Sequence, residues 1–188
     1  QFLDAPAARS PLGPTAPGDF SYYGSGWSLT RWLADQDVAD EAVFFTALSE
    51  NRQFGIANLE ARTGRAWDAI LPEWSLAVAS DDLAGLTTES ARLRFPSFDL
   101  RSVYQGLCDA MGSCIAPAES PFTRAWPVRP VTVASGGFAL PFAAIEPGGF
   151  AVIELEVSPA TVRQVIELRG AGGAPLPPGA RLAILRLQ

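Results

Sequence analysis

Apolar residues recur at helical spacing through the first half of the chain and at alternating positions in the second, so helices are expected first and strands after them. Leu29, Trp32 and Leu33 share one face of a helix beginning near residues 24–25, with Ser25 as its N-cap. Asp40 caps a second helix that buries Phe44, Phe45 and Leu48. A third spans residues 53–63, with Ile56 and Leu59 inward and Gly64 as its stop. A fourth starts at Trp67 and is broken or restarted by Pro72, after which Trp74, Leu76 and Val78 carry the apolar character to Asp81 and Asp82.

From about residue 86 the pattern changes. Leu93 and Phe95 flank Arg94 in strand-like alternation that Pro96 ends, and residues 100–107 make one or two helical turns. Five candidate strands follow, at 131–133, 138–142, 150–157, 162–168 and 181–187, separated by Gly- and Pro-rich turns. Ile153, Leu155 and Val157 alternate with Glu154 and Glu156, the pattern of a half-buried antiparallel strand. The expected fold class is α+β: a helical subdomain followed by a small antiparallel β-sandwich or barrel-like domain. The expected division is a Pro-rich connector at 1–18, a helical part at 19–127 and a β-rich part at 128–188. Pro6, Pro11, Pro14 and Pro17 keep the connector from forming a helix, and Phe2 and Leu3 are the residues that would anchor its start.

Composition narrows the function classes. The net charge of −6 and the lack of any basic run disfavour nucleic acid as a partner. No apolar run approaches the roughly 20 residues needed to span a bilayer. The opening Gln1-Phe2-Leu3-Asp4 has neither the basic start nor the apolar segment of a signal peptide, as expected of a mature or excised piece. All fourteen basic residues are Arg, which reads as the codon usage of a GC-rich bacterial genome. Cys108 and Cys114 flank a short loop containing Gly112. A bridge between them would stabilise by about 2.4 kcal/mol in the chain-entropy model and place the protein in an oxidising, extracytoplasmic compartment. The alternative is two free thiols.

The segment Tyr23-Gly-Ser-Gly26-Trp-Ser-Leu-Thr-Arg-Trp-Leu-Ala-Asp35, continued by Phe44-Phe-Thr-Ala-Leu48, residues 55–64 and Glu73-Trp-Ser-Leu-Ala77, resembles the part of gluzincin, hyicolysin-like secreted zinc metallopeptidases that follows their metal-binding motif. The resemblance covers residues 19–107 and lies in the positions of aromatic residues, Gly and Leu. It implies that Tyr23 donates a hydrogen bond to the oxyanion forming on the attacked carbonyl, an interaction worth about 3 kcal/mol in the transition state. The alternative is that Tyr22 and Tyr23 are packing residues at the start of a helix. The chain departs from the family in having no histidine at all, and so no His-Glu-x-x-His motif. No glutamate precedes Tyr23, while Glu41, Glu50, Glu60 and Glu73 follow it. This chain therefore offers no metal ligands of that kind. Zinc is implied only for a complete enzyme, with an N-terminal catalytic part of the same precursor, or another chain, as partner and a peptide or protein as substrate.

Other chemistry is thinner. Asp81 with Asp82, and Asp35 with Asp37, are candidate calcium ligands or solvent-facing helix ends, and they lack the ligand spacing of an EF-hand. Glu154 and Glu156 share a strand face and would act as paired acids only if burial or proximity shifted them. Without histidine neither a Ser–His–Asp arrangement nor a His-activated Cys108 is possible. Trp27, Trp32, Trp67 and Trp74 either line a carbohydrate or peptide groove or form core. The expected function is thus the C-terminal, by itself non-catalytic, part of a secreted bacterial metallopeptidase-like protein. The alternative is an extracellular binding or surface-display module.

Overall fold

In the computed structural model the chain is described at residues 2–13, 17, 19–50, 52–86, 91–110, 126, 128, 130–134, 145–156 and 165–186. Five helices lie among these residues: α1 (Ser21–Asp37), α2 (Glu41–Ser49), α3 (Gly55–Thr63), α4 (Trp67–Ser80) and α5 (Leu100–Ala110). Two short strands follow, β1 (Val131–Ala134) and β2 (Ile153–Glu156). The molecule is accordingly α+β, mostly helical with a small open sheet.

Helix α1 begins earlier than the position of Ser25 suggests. Ser25 lies inside it, fully buried, and its hydroxyl donates to the carbonyls of Ser10 (2.9 Å) and Tyr22 (2.9 Å). A serine that satisfies its hydroxyl on a nearby carbonyl is tolerated within a helix, so it is an anchor for the N-terminal segment rather than a cap. The cap expected at Asp40 is formed, its carboxylate accepting from Val43 N at 3.0 Å. Of the inward positions expected on α2, Phe44 is buried and Leu48 half-buried, while Phe45 stands at the surface. Gly64 ends α3 in the left-handed conformation, its N–H on Glu60 O at 2.8 Å. Pro72 does not break α4, which runs through it. The proline removes only the bond to the carbonyl of Asp68, an exposed first-turn residue that water can satisfy.

The core is a single cluster in which Leu29, Trp32 and Leu33 of α1 meet Phe44, Leu59 and the α4 stripe Ile70, Trp74, Ala77 and Val78. Burying the two Trp side chains alone removes several hundred Å² of apolar surface from water. Phe95 also joins this cluster and Leu93 is buried, Leu93 at the end of a 3-10 turn over Ala91–Leu93 and Phe95 in the residues after it. Their alternation is therefore not that of a strand: both side chains are drawn inward from irregular backbone, with Arg94 left outside. The chain start is pinned as well. Phe2 stacks on Trp74 with ring centroids 5.6 Å apart, and Phe150 meets Trp74 edge-on at 5.7 Å. Backbone bonds from Glu146 N to Ala7 O (2.9 Å) and Phe150 N to Pro6 O (3.2 Å) lace the N-terminal segment to the chain that leads into β2.

The β part departs from expectation. β1 and β2 pair in parallel, with Val131 beside Ile153 and Val133 beside Leu155, and they form a two-stranded sheet. The long connection over residues 135–152 allows the crossover that parallel pairing requires. No sandwich or barrel is formed among the described residues. The candidate strand at 138–142 lies outside them, and residues 165–168 and 181–186 form no strand and have no strand partner among the described residues.

Candidate functional site: an apolar groove between α1 and α5

Two helical faces and the chain start enclose a cavity of about 390 Å³. Phe20, Gly24, Trp27 and Ser28 recur at offsets of zero, four, seven and eight and form the α1 wall. Leu100, Val103, Tyr104 and Leu107, at offsets of zero, three, four and seven, form the α5 wall, and Phe98 closes the end before that helix. Phe2 and Leu3 form the floor. Gly24 sits close against that floor: a Cβ there would stand 3.3 Å from the Cβ of Phe2, which would have to give by a few tenths of an ångström. Trp27 and Phe98 meet edge to face at 5.1 Å across the mouth. Trp27 remains 47% exposed and Phe20 69%, so the aromatic rim is open to solvent.

Few polar atoms reach the groove. The Ser28 hydroxyl is engaged from behind, accepting from the indole of Trp74 at 3.1 Å. The Tyr104 phenol is pushed above its ordinary value by burial, with the charge of Asp4 adding to the effect. It therefore stays protonated and is a hydrogen-bond donor in an otherwise apolar lining. The size and mostly apolar lining are those of small-ligand or side-chain pockets.

Tyr23 stands beside this groove rather than in it. Its side chain is 59% exposed, stacked on Tyr22 at 4.3 Å and on Phe20 at 6.1 Å. The Tyr22 phenol lies above its usual value, chiefly through its hydrogen bond with Tyr23 and to a smaller degree through burial. Cys108 is fully buried on α5 and is not free, whereas Cys114 lies outside the described residues, so the bridge between them stays an expectation.

The acidic residues are structural in ways the sequence did not suggest. Asp35 and Asp37 do not face solvent. Arg31 and the Ser97 hydroxyl donate to Asp35 at 2.8 and 2.7 Å, while Arg65 and Arg92 donate to Asp37 at 2.8 and 2.9 Å. Asp81 is fully buried and accepts from the backbone N–H groups of Phe95 and Leu100, both at 2.8 Å, tying the end of α4 to the start of α5. Its carboxyl is pushed up by burial, which those two hydrogen bonds oppose. Asp81, Asp82 and Asp99 bring carboxylate oxygens within 4.8 Å of one another. The neighbouring Arg101 answers that charge: it donates to the carbonyls of Asp81 and Ala79 and lies 4.2 Å over the Trp126 ring. Burial lowers the Arg101 guanidinium, and the three carboxylates act in the opposite direction. The cluster thus has a structural account in backbone capping and Arg101, and is not by itself evidence of a cofactor. Glu154 is exposed, and the side chain of Glu156 is outside the description.

Of the four tryptophans considered for a groove, Trp27 alone lines this one, while Trp32 and Trp74 are fully buried core. Sequence reasoning missed Phe2, Leu3, Phe98 and the α5 wall as parts of a site. The signal for α5 was present in the i, i+3, i+4, i+7 spacing of Leu100, Val103, Tyr104 and Leu107. No helix among the described residues is long and apolar enough to cross a membrane. No family model matches the chain, and no curated protein and no solved structure matches it either.

Proposed function

We propose that this chain is a non-catalytic binding unit whose working surface is the groove between α1 and α5, and that it takes an apolar, aromatic or branched side chain of a peptide. The observation that carries this reading is the groove itself, aromatic at its rim, aliphatic along α5, and given one donor by Tyr104. Aromatic pairs add about 0.5–1.5 kcal/mol beyond burial of their area, so an aromatic guest between Trp27 and Phe98 is favoured over an aliphatic one. The test is a fluorescence titration of Trp27 with N-acetyl-phenylalanyl-leucine amide, against the Gly24→Val variant, in which a larger side chain displaces Phe2 and fills the floor. Saturable quenching in the parent and its loss in Gly24→Val, with the helical far-ultraviolet circular dichroism retained, support the reading. Equal response in both chains removes it.

Tyr23 favours a second reading, the C-terminal part of a secreted zinc metallopeptidase-like protein. Its phenol is exposed at the lip of the groove, where a facing catalytic part could reach it. That part, with its histidines and zinc, would come from the same precursor or another chain, because this one has no histidine to offer. The role left to this chain is to wall one side of a cleft and to present the Tyr23 O–H. Peptidase activity of the longest natural form, falling about 100-fold or more in Tyr23→Phe, is the outcome this reading requires.

A further inference from the structure

Among the described residues, the sheet and residues 181–186 each leave backbone without a strand partner. β2 is hydrogen-bonded to β1 along one edge and has no strand on the other among the described residues. Residues 181–186 belong to no helix, strand or turn, and no backbone hydrogen bond among the described residues involves them. As a strand they would set Leu182, Ile184 and Arg186 on one face and Arg181, Ala183 and Leu185 on the other. Leu182 is 51% exposed and Ile184 65%, an unusual surface for a segment of that pattern unless something covers it.

We propose that residues 181–186 of one copy add as an antiparallel strand to the free edge of β2 in a second copy, reciprocally. The register follows from the side-chain pattern. Setting Leu182 beside Leu155 and Ile184 beside Ile153 continues the apolar face that β2 shares with Val131 and Val133 of β1. The same register sets Ala183 at the level of Glu154 and Arg181 at that of Glu156. Charge agrees with it: β2 carries two acids and no base, while 181–186 carries two arginines and no acid. In its own copy Leu185 is half-buried, and among the described residues the segment's one side-chain bond to another element is Arg181 on Asp68 of α4, 2.8 Å apart and exposed on both sides. An ion pair of that kind is worth about 0–1 kcal/mol and yields readily to a paired strand. Because each copy both gives and receives, a two-fold dimer forms the pairing twice, and the backbone groups of both edges are satisfied together.

The test is sedimentation velocity on the full chain from about 1 to about 100 μM at low salt, a range that covers micromolar association. A dimer that loosens as salt rises is expected. Ile184→Pro removes an amide donor at an exposed position and is expected to raise the dimer Kd at least about tenfold with the far-ultraviolet spectrum unchanged. A second arm places cysteine at Leu155 in one tagged copy and at Leu182 in another, and oxidation of the mixture is expected to join the two tags. A monomer throughout the range overturns the proposal, whether the strand goes unpaired or awaits a different protein. A dimer indifferent to Ile184→Pro overturns it, as does a cross-link found only within a chain carrying both cysteines.

Discussion

The indole N–H of Trp74 on α4 donates to the Ser28 hydroxyl on α1 at 3.1 Å, with both residues buried. This bond stands directly behind the groove wall, since Ser28 lines the cavity on its other side. It turns one lone pair of the groove's α1 hydroxyl toward the core. Removing the hydroxyl leaves a buried indole donor without an acceptor, which costs about 1–3 kcal/mol. Ser28→Ala is therefore expected to destabilise by that amount in urea unfolding. Ser28→Ala in a Trp74→Phe background is expected to cost clearly less, because no orphaned donor remains. Equal costs in the two backgrounds would show that the bond contributes nothing.

Gly64 closes α3 at φ 67° and ψ 16°, with no atom within 4 Å of the position a Cβ would take. The penalty for a side chain there is thus conformational alone. Gly64→Ala is expected to lose about 1 kcal/mol, the usual cost of holding an L-residue in the left-handed region. A shift in urea midpoint with an unchanged slope is the expected readout.

Asp81 supplies a pH dependence opposite in sign to that of most carboxylates. Its folded-state value lies above 3.8, with burial the leading cause. The stability it contributes is fully present below the unfolded value and is lost as pH rises through the folded one. The exposed Asp99, held low by its hydrogen bonds with Ser102, behaves conversely, and its contribution fades as pH falls. Asp81→Asn stays neutral throughout, and its amide accepts from only one of the two N–H groups of Phe95 and Leu100, so an overall loss of about 1–3 kcal/mol is expected. The parent's advantage over Asp81→Asn should shrink from acid to neutral pH. An advantage that grows over that range would mean Asp81 is stabilised as the anion.

The helical half was legible because its signals are local. Asp40 and Gly64 cap by short-range geometry, and the stripe Leu29, Trp32, Leu33 follows from helical period alone. Pro72 and Ser25 were misjudged for a common reason: each has a local preference that long-range packing overrides, through the Trp74 side of α4 and through the Ser10 carbonyl. The β half was less legible. Alternation reports which side chains share a face, not which strand lies alongside, so the parallel pairing of β1 with β2 was not visible. The groove was hidden because it is assembled from Phe2, Phe98 and two helices far apart in sequence. The roles of Asp35, Asp37 and Asp81 were hidden because their partners lie many residues away.

Gly149 offers the sharpest test of how the chain start is joined to the β part. A Cβ at this position would lie 2.5 Å from the carbonyl oxygen of Ala7 and 3.0 Å from that of Glu146. Both obstacles are backbone, which has no rotamer to yield, so Gly149→Ala must separate the two strands of chain. The bonds from Glu146 N to Ala7 O and from Phe150 N to Pro6 O are then lost, at a cost of about 2 kcal/mol for the pair. Helical content should be almost unchanged, because neither of the two lost bonds involves a residue of α1 to α5. In hydrogen exchange the amides of Glu146 and Phe150 are expected to lose protection while those of α4 keep theirs. Uniform loss across α4 as well would mean that Phe2 and Phe150 leave Trp74 together with the strap, making the chain start part of the core's cooperative unit rather than a belt laid over it.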